Sequence, residues 1–211
     1  MSKRLAIIGS SDLGQLIAHH AAVNCGFEMM GYYDDFNTNK LSVDQYPILG
    51  KVDKLEEDFK NGVFDCLMVA VGYKYMDFRE TIFKRFKGKI PFANIIHPGT
   101  NKDISVKTGE GCFVLPGCVL DRNVVLGDNV LLNTGCVIAH DSEVNDHSFL
   151  SPAVKIAGFS KIGKKCIIGI NVTVIDNITV EDGIQVGAGA VVVKSLTETG
   201  LYVGCPAKKI K

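Results

Sequence analysis

From Val114 onward the chain places an aliphatic side chain at every sixth position: Val114, Leu120, Leu126, Leu132, Ile138, Val144, Leu150, Ile156, Ile162, Ile168, Val174, Val180, Val186 and Val192. Were such residues to fill about a third of positions at random, so long a run would be vanishingly rare, so the pattern is an internal repeat. Small or β-branched residues stand two places earlier, as at Val124, Val130, Ser148, Val154 and Val172. Glycine follows the aliphatic at Gly127, Gly163, Gly169 and Gly187. Hexads of this kind predict a parallel β-helix with three short strands per coil, the aliphatic residue inside and a glycine or small polar residue at the corner. Coils stack at the strand spacing of about 4.7 Å, so each residue lies beneath the one eighteen places later, and a rod of roughly four to five coils follows. The exposed faces and ends of such a rod call for protection, for which threefold association is one common solution.

The first hundred residues have a different texture. Residues 4–9 (RLAIIG) read as a buried strand, residues 13–23 as an amphipathic helix, and residues 29–35 (MMGYYDD) as a second strand ending in acids. Residues 64–72 (FDCLMVAVG) are a further buried strand, followed by a helical pattern over residues 77–86. Alternation of strand and helix predicts a small parallel sheet that binds ligands at the carboxyl ends of its strands, where Gly9, Asp34, Asp35 and Gly72 fall. Proline and glycine break this pattern at residues 95–103 (IIHPGTNKD), dividing the chain into a Rossmann-like domain over 1–100 and a β-helical domain over 101–211. The last residues (KSLTETGLYVGCPAKKIK) form a tail that caps the final coil or lies along the rod.

Charge adds mainly exclusions. Lysine plus arginine equals aspartate plus glutamate, 23 each, so bulk charge recommends neither nucleic acid nor an anionic membrane as partner. The apolar run at the start is too short for a signal-peptide core and nothing approaches the length of a membrane span, so the expected location is cytoplasmic. The seven cysteines include no CxxC pair and are expected to be reduced. Cys112, Cys118, Cys136 and Cys166 are separated by multiples of six and share one column of the repeat, where a small buried side chain fits.

Two constellations carry candidate chemistry. The turn over residues 9–14 (GSSDLG) stands between a strand and a helix, where backbone N–H groups and the helix dipole can receive a phosphate. Asp12 there brings an opposing negative charge, and a plain structural turn is the competing reading. Asp34 and Asp35 could accept hydrogen bonds from a base or ribose, or form only a solvated acidic turn. His140 falls two residues after the interior Ile138, where the coil turns its side chain outward, and Asp141 could hold or charge it as a general base requires. His147 is seven residues further on, out of column with His140. No third histidine suits a zinc site, so no metal is expected.

The stretches LLNTGCVIAHD, PAVKIAG, KIGKKCIIGINVTV and GLYVGCPAKKIK resemble the nucleotide-sugar acetyltransferases of the left-handed β-helix superfamily, the group of bacillosamine and perosamine N-acetyltransferases and sialic acid O-acetyltransferases. The resemblance covers nearly the whole chain. It implies a homotrimer with acetyl-CoA along a left-handed rod and a nucleotide-linked sugar in the N-terminal domain. It makes His140 the general base and Asp141 its orienting partner, sets Asn133 near the acceptor, and places Gly158, Ile170, Gly187 and Ala188 along the CoA chain. Ser11, Asp12, Asp34 and Asp35 would line the nucleotide site, with Gly72 close by.

Three departures are visible. The phosphate loop has Ser11, Asp12 and Leu13 where the family is richer in glycine. Phe149 stands where a second histidine is common, and Tyr73 replaces an asparagine in residues 72–79 (GYKYMDFR). The expected reaction is transfer of acetyl from acetyl-CoA to the amino group of a nucleotide-linked 4-amino-4,6-dideoxyhexose. The alternatives are O-acetylation of a sugar hydroxyl and a non-catalytic binder of nucleotide sugars.

Overall fold

The computed structural model describes residues 2–37 and 39–211. The chain divides into two compact units, Met1–Ile95 and Ile96–Lys211. In the first, β1 (Arg4–Ile8) leads through α1 (Asp12–Asn24) to β2 (Glu28–Tyr33), a short β3 (Ser42–Val43) and β4 (Tyr46–Gly50). A small helix α2 (Leu55–Lys60), β5 (Cys66–Val69) and α3 (Met76–Phe86) complete it. The sheet order is β3-β4-β2-β1-β5, parallel except for the β3-β4 pair. Each expected strand and helix is present. The β3-β4 hairpin and α2 are additions that lack a strong apolar period.

The sheet is buried because its strands are apolar on both sides: Leu5, Ala6, Ile7, Leu67, Met68 and Val69 are fully buried. One face gathers Ala6, Ile8, Tyr33, Leu67 and Val69 with Phe83 and Phe86 of α3. α1 approaches the end of β1 so closely that a Cβ on Gly14 would overlap the carbonyl oxygen of Gly9, and Gly9 itself turns with φ +97°. Both glycines are therefore required by the strand-to-helix turn.

The second unit is a left-handed parallel β-helix. Among the described residues its three sides are sheets of six, five and eight strands. Pairing is in register at eighteen residues, as in Val119 with Val137, Val137 with Lys155 and Lys155 with Thr173. Leu120, Ile138, Ile156, Val174 and Val192 thus stack in a continuous core. The tail closes the end: Leu201–Val203 adds a parallel strand to the coil at Gln185–Val186, and Lys208–Lys209 turns back antiparallel.

The corners differ from the sequence expectation. The residue that reverses the chain is not the glycine after the aliphatic but the one three places after it. From Gly111 to Gly189 every sixth residue has positive φ, including Asn123, Asn129, Asp141, His147, Phe159, Lys165, Asn171 and Asn177. Gly127 and Gly163 are small for another reason. A Cβ there would lie 2.5 and 2.6 Å from the carboxylates of Asp146 and Asp182 in the next coil.

The interior column two places before the aliphatic is also more than filler. Ser142, Ser148 and Ser160 share it with Cys112, Cys118, Cys136 and Cys166, all fully buried. Each donates to a carbonyl fifteen residues later, Ser148 Oγ to Gly163 at 2.6 Å and Cys136 Sγ to Ser151 at 3.2 Å. The hydroxyls also receive the N–H eighteen residues on, as Cys166 N–H to Ser148 Oγ at 3.0 Å. These groups satisfy corner backbone that would otherwise be buried unpaired.

Candidate active site

The eighteen-residue stacking decides what surrounds His140. Arg122 lies one coil below it and Gly158 one coil above, while Asp141 stands over Asn123 and under Phe159. His140 Nδ1 is 2.9 Å from Asp141 Oδ2. Asp141 Oδ1 accepts from Asn123 Nδ2 at 2.9 Å, and Arg122 Nη2 is 3.5 Å from Oδ2. Hydrogen bonds from Asn123 first, then His140, with the charge of Arg122 adding to them, hold the Asp141 carboxyl below its usual range. Asp141 has φ 57°, a conformation that aspartate and asparagine adopt more readily than most residues.

The imidazole packs beneath Gly158 and edge-on to Phe159, with ring centroids 5.1 Å apart and planes at 86°. A Cβ on Gly158 would sit 2.8 Å from His140 Cε1 and 2.9 Å from Nε2. Gly158 therefore makes the space the ring occupies. The side chain is 44% exposed while Asp141 is 23% exposed, so the pair has one face to solvent and one to the rod. With Nδ1 engaged by the carboxylate, Nε2 is the atom left to take a proton from a bound molecule.

The remaining rod residues fall at a second corner. Asn133, Gly169 and Gly187 share one column, and Ile170 and Ala188 the next. This corner and that of His140 bound one side of the rod, whose strands include Val137–Ile138 and Lys155–Ile156. Asn133 Oδ1 accepts from the N–H of Thr134 at 3.0 Å. Ile170 is 55% exposed although apolar, and Ala188 is exposed beside it in the stack. Gly187 leaves room for Val203, whose Cγ1 would be 2.8 Å from a Cβ there. His147 is at the third corner, buried, with Nδ1 3.1 Å from Asn129 Nδ2, and so does not join His140 within the coil. Phe149 is buried on the strand that follows.

In the N-terminal unit the two acids separate in role. Asp34 is buried and its carboxylate is enclosed: Oδ2 accepts from Ser10 N–H at 2.8 Å and Ser10 Oγ at 2.6 Å, and Oδ1 from the N–H groups of Phe36 at 2.8 Å and Asn37 at 3.0 Å. Burial pushes this carboxyl up, but the bonds from Ser10, Phe36 and Asn37 outweigh it and leave it below its usual range. Asp34 thus ties the turn after β1 to the turn after β2. Asp35 is exposed and its Oδ1 accepts from Val52 N–H at 2.9 Å. Ser11 and Asp12 are exposed at the start of α1, beside N–H groups suited to an anion. Gly72 precedes a short 3-10 turn, and the buried Arg79 fastens the strand end before it by donating to the carbonyls of Val69 at 3.1 Å and Val71 at 2.9 Å.

Ser10, Asn123 and the clearance role of Gly158 escaped the reading of motifs. The last two were accessible by adding or subtracting eighteen from His140 and Asp141. Among the described residues no group of three or more His, Cys, Asp or Glu side chains could hold a metal ion, and no helix is long and apolar enough to cross a membrane.

A hexapeptide rod carrying a histidine-carboxylate pair, joined to a small parallel sheet with a tight strand-to-helix turn, defines a class of two-unit acyltransferase-like proteins. Residues 4–86 match the model of the PglD N-terminal domain. Over its whole length the chain is similar to GDP-perosamine N-acetyltransferase from Caulobacter crescentus. A histidine-to-alanine variant of that enzyme, solved with CoA and GDP-perosamine, is 27% identical, with a TM-score of 0.91 over 98% of this chain and 96% of that one. The acetyltransferase domain of PglB from Neisseria gonorrhoeae FA1090, in complex with acetyl coenzyme A, is 28% identical, with a TM-score of 0.90 over 100% of both chains. WeeI from Acinetobacter baumannii AYE, 22% identical with a TM-score of 0.80 over 98% of this chain and 99% of that one, shares the fold. These matches agree with a nucleotide-sugar acetyltransferase of the hexapeptide-repeat superfamily.

Proposed function

We propose that this protein transfers acetyl from acetyl-CoA to the amino group of a nucleotide-linked amino sugar, of the 4-amino-4,6-dideoxyhexose class, with His140 as general base. The observation that carries the reading is His140 itself: Nδ1 sits on Asp141 and the ring is lodged in the space that Gly158 leaves open. Similarity over the full chain to enzymes solved with CoA and GDP-perosamine, or with acetyl coenzyme A, supports the choice of both substrates.

An amine attacks a thioester only as the free base. As its nitrogen bonds to the carbonyl carbon, His140 Nε2 takes the N–H proton and Asp141 stabilises the imidazolium, while a backbone N–H of a neighbouring coil receives the oxyanion. The C–S bond then breaks, the imidazolium returns its proton to the departing thiolate, and an N-acetyl sugar and CoA result. Asn133 lies toward the acceptor, and the exposed Ile170 and Ala188 with Gly158 and Gly187 border the CoA chain. Ser11, Asp12, Asp35 and Gly72 line the nucleotide site that Asp34 shapes. Exposed apolar side chains on the rod, Phe159, Ile175 and Val193 among them, support self-association as a homotrimer. Dependence on acetyl-CoA and nucleotide sugar supports a cytoplasmic location.

The test is thiol release from acetyl-CoA against a panel of UDP-, GDP- and dTDP-linked 4-amino sugars, with His140→Ala alongside. Saturable release with one acceptor, lost in the variant, is the expected result. Silence with every amine, or release only with hydroxyl acceptors, would overturn the reading.

A further inference from the structure

Asp141 is held by both oxygens. Oδ2 meets His140 Nδ1 and Oδ1 receives Asn123 Nδ2, each at 2.9 Å. A carboxylate fixed at only one oxygen can swing about its Cβ–Cγ bond, and a second partner on the other oxygen sets its plane. Asn123 is suited to this place because it occupies the same corner position one coil below, with φ 61°, and its side-chain amide reaches up the stack to Asp141. Its own N–H is anchored on Ser105 Oγ at 2.7 Å.

The charged groups around the pair are Arg122, Asp121, whose Oδ1 accepts from Arg122 N–H at 2.7 Å, and Asp103, which also feels Arg122. Arg122 is the obvious rival as the group that orients Asp141. Its side chain is 67% exposed and its contact is 3.5 Å, a loose pair that solvent and salt screen heavily. The shorter amide bond decides the orientation.

We propose that Asn123 is a positioning residue for His140: by fixing the Asp141 carboxylate it keeps the neutral imidazole protonated on Nδ1, so that Nε2 faces the reacting amine. This rests on His140 being the base. A purely structural role also exists for asparagine at such corners, since Asn129 and Asn177 adopt the same conformation. Asn123→Gly separates the two, because glycine accepts positive φ without strain and removes only the amide.

In the acetyl-transfer assay Asn123→Gly should lower kcat about five- to tenfold, the equivalent of one lost hydrogen bond. KM for both substrates should change less than about twofold and Arg122→Gln should stay within about twofold of wild type. Added to Asp141→Asn, the same change should have no further effect, because its route runs through Asp141. An unchanged kcat in Asn123→Gly, or an equal loss in both backgrounds, would overturn the proposal. A second readout needs no turnover. Long-range 1H–15N spectra of histidine-labelled protein in mildly alkaline buffer, with His140→Ala to assign the ring, should show the Nδ1–H tautomer in wild type and a mixture in Asn123→Gly. Identical tautomers in the two would reject the positioning role even if every acceptor proved inactive, an outcome that by itself would count only against the proposed reaction.

Discussion

Gly158 and His140 stand one coil apart, and the imidazole fills the volume that a side chain on the glycine would take, with Cε1 and Nε2 within 2.9 Å of a Cβ built there. The relationship makes a glycine with no chemistry of its own a condition for placing the imidazole proposed as the base. Gly158→Ala should leave folding nearly untouched, since the partly exposed ring can yield. Turnover should fall by about ten- to a hundredfold, because a shift of about 1 Å in a catalytic group is that costly. Steady-state kinetics beside a thermal melt would check it; a normal kcat at a normal melting temperature contradicts the placement.

His140→Ala should reduce kcat by about two to four orders of magnitude, the usual contribution of a positioned base. Calorimetric titration with CoA should give an affinity close to wild type, because the imidazole is assigned to the proton and not to the carrier. Parallel losses of binding and turnover would assign it to the carrier instead.

Asp34 and Asp35, adjacent in sequence, should respond in opposite ways. Asp34→Asn replaces an acceptor by an NH2 group facing N–H donors and should destabilise the protein by about 1–3 kcal/mol in denaturant melts. Asp35→Asn should leave the melt unchanged and raise KM for the sugar nucleotide. Equal effects from the two would contradict the division between a buried tie and an exposed ligand.

The Asp34 carboxyl is held below its ordinary value of 3.8. A depressed folded value means that its stabilising contribution is complete above the unfolded value and disappears as pH falls through the folded one. Wild type should therefore lose stability on acidification below about pH 4, and Asp34→Asn should lose less over the same interval. Urea melts at successive pH values would show whether the two curves converge toward acid, as they should.

Ser148→Ala removes the hydroxyl shared by the Gly163 carbonyl and the Cys166 N–H and should cost about 1–3 kcal/mol. Ser148→Cys should cost less, because cysteine fills the same column at four other levels and Cys136 donates to a carbonyl in the same way. Urea unfolding of both variants would rank them.

The hexad of Val, Leu and Ile was enough to announce the rod, because an interior of that shape accepts only such residues at one position in six. The alternation of buried strands and helices did the same for the N-terminal sheet. His140 beside Asp141 was legible because neighbours in sequence remain neighbours at a corner. The eighteen-residue period sets Asn123 under Asp141 and Gly158 over His140, but tertiary structure decided what they do there: Asn123 donates to Asp141, Gly158 leaves room for the imidazole, and His147 is buried against Asn129. It also showed that Asp34 is consumed by Ser10 and the following turn, while Asp35 stays exposed. The physical reason is that a repeat fixes where each backbone atom goes, whereas hydrogen bonds and clearances between coils depend on side chains eighteen or more residues apart, which no local pattern of apolar and polar positions records.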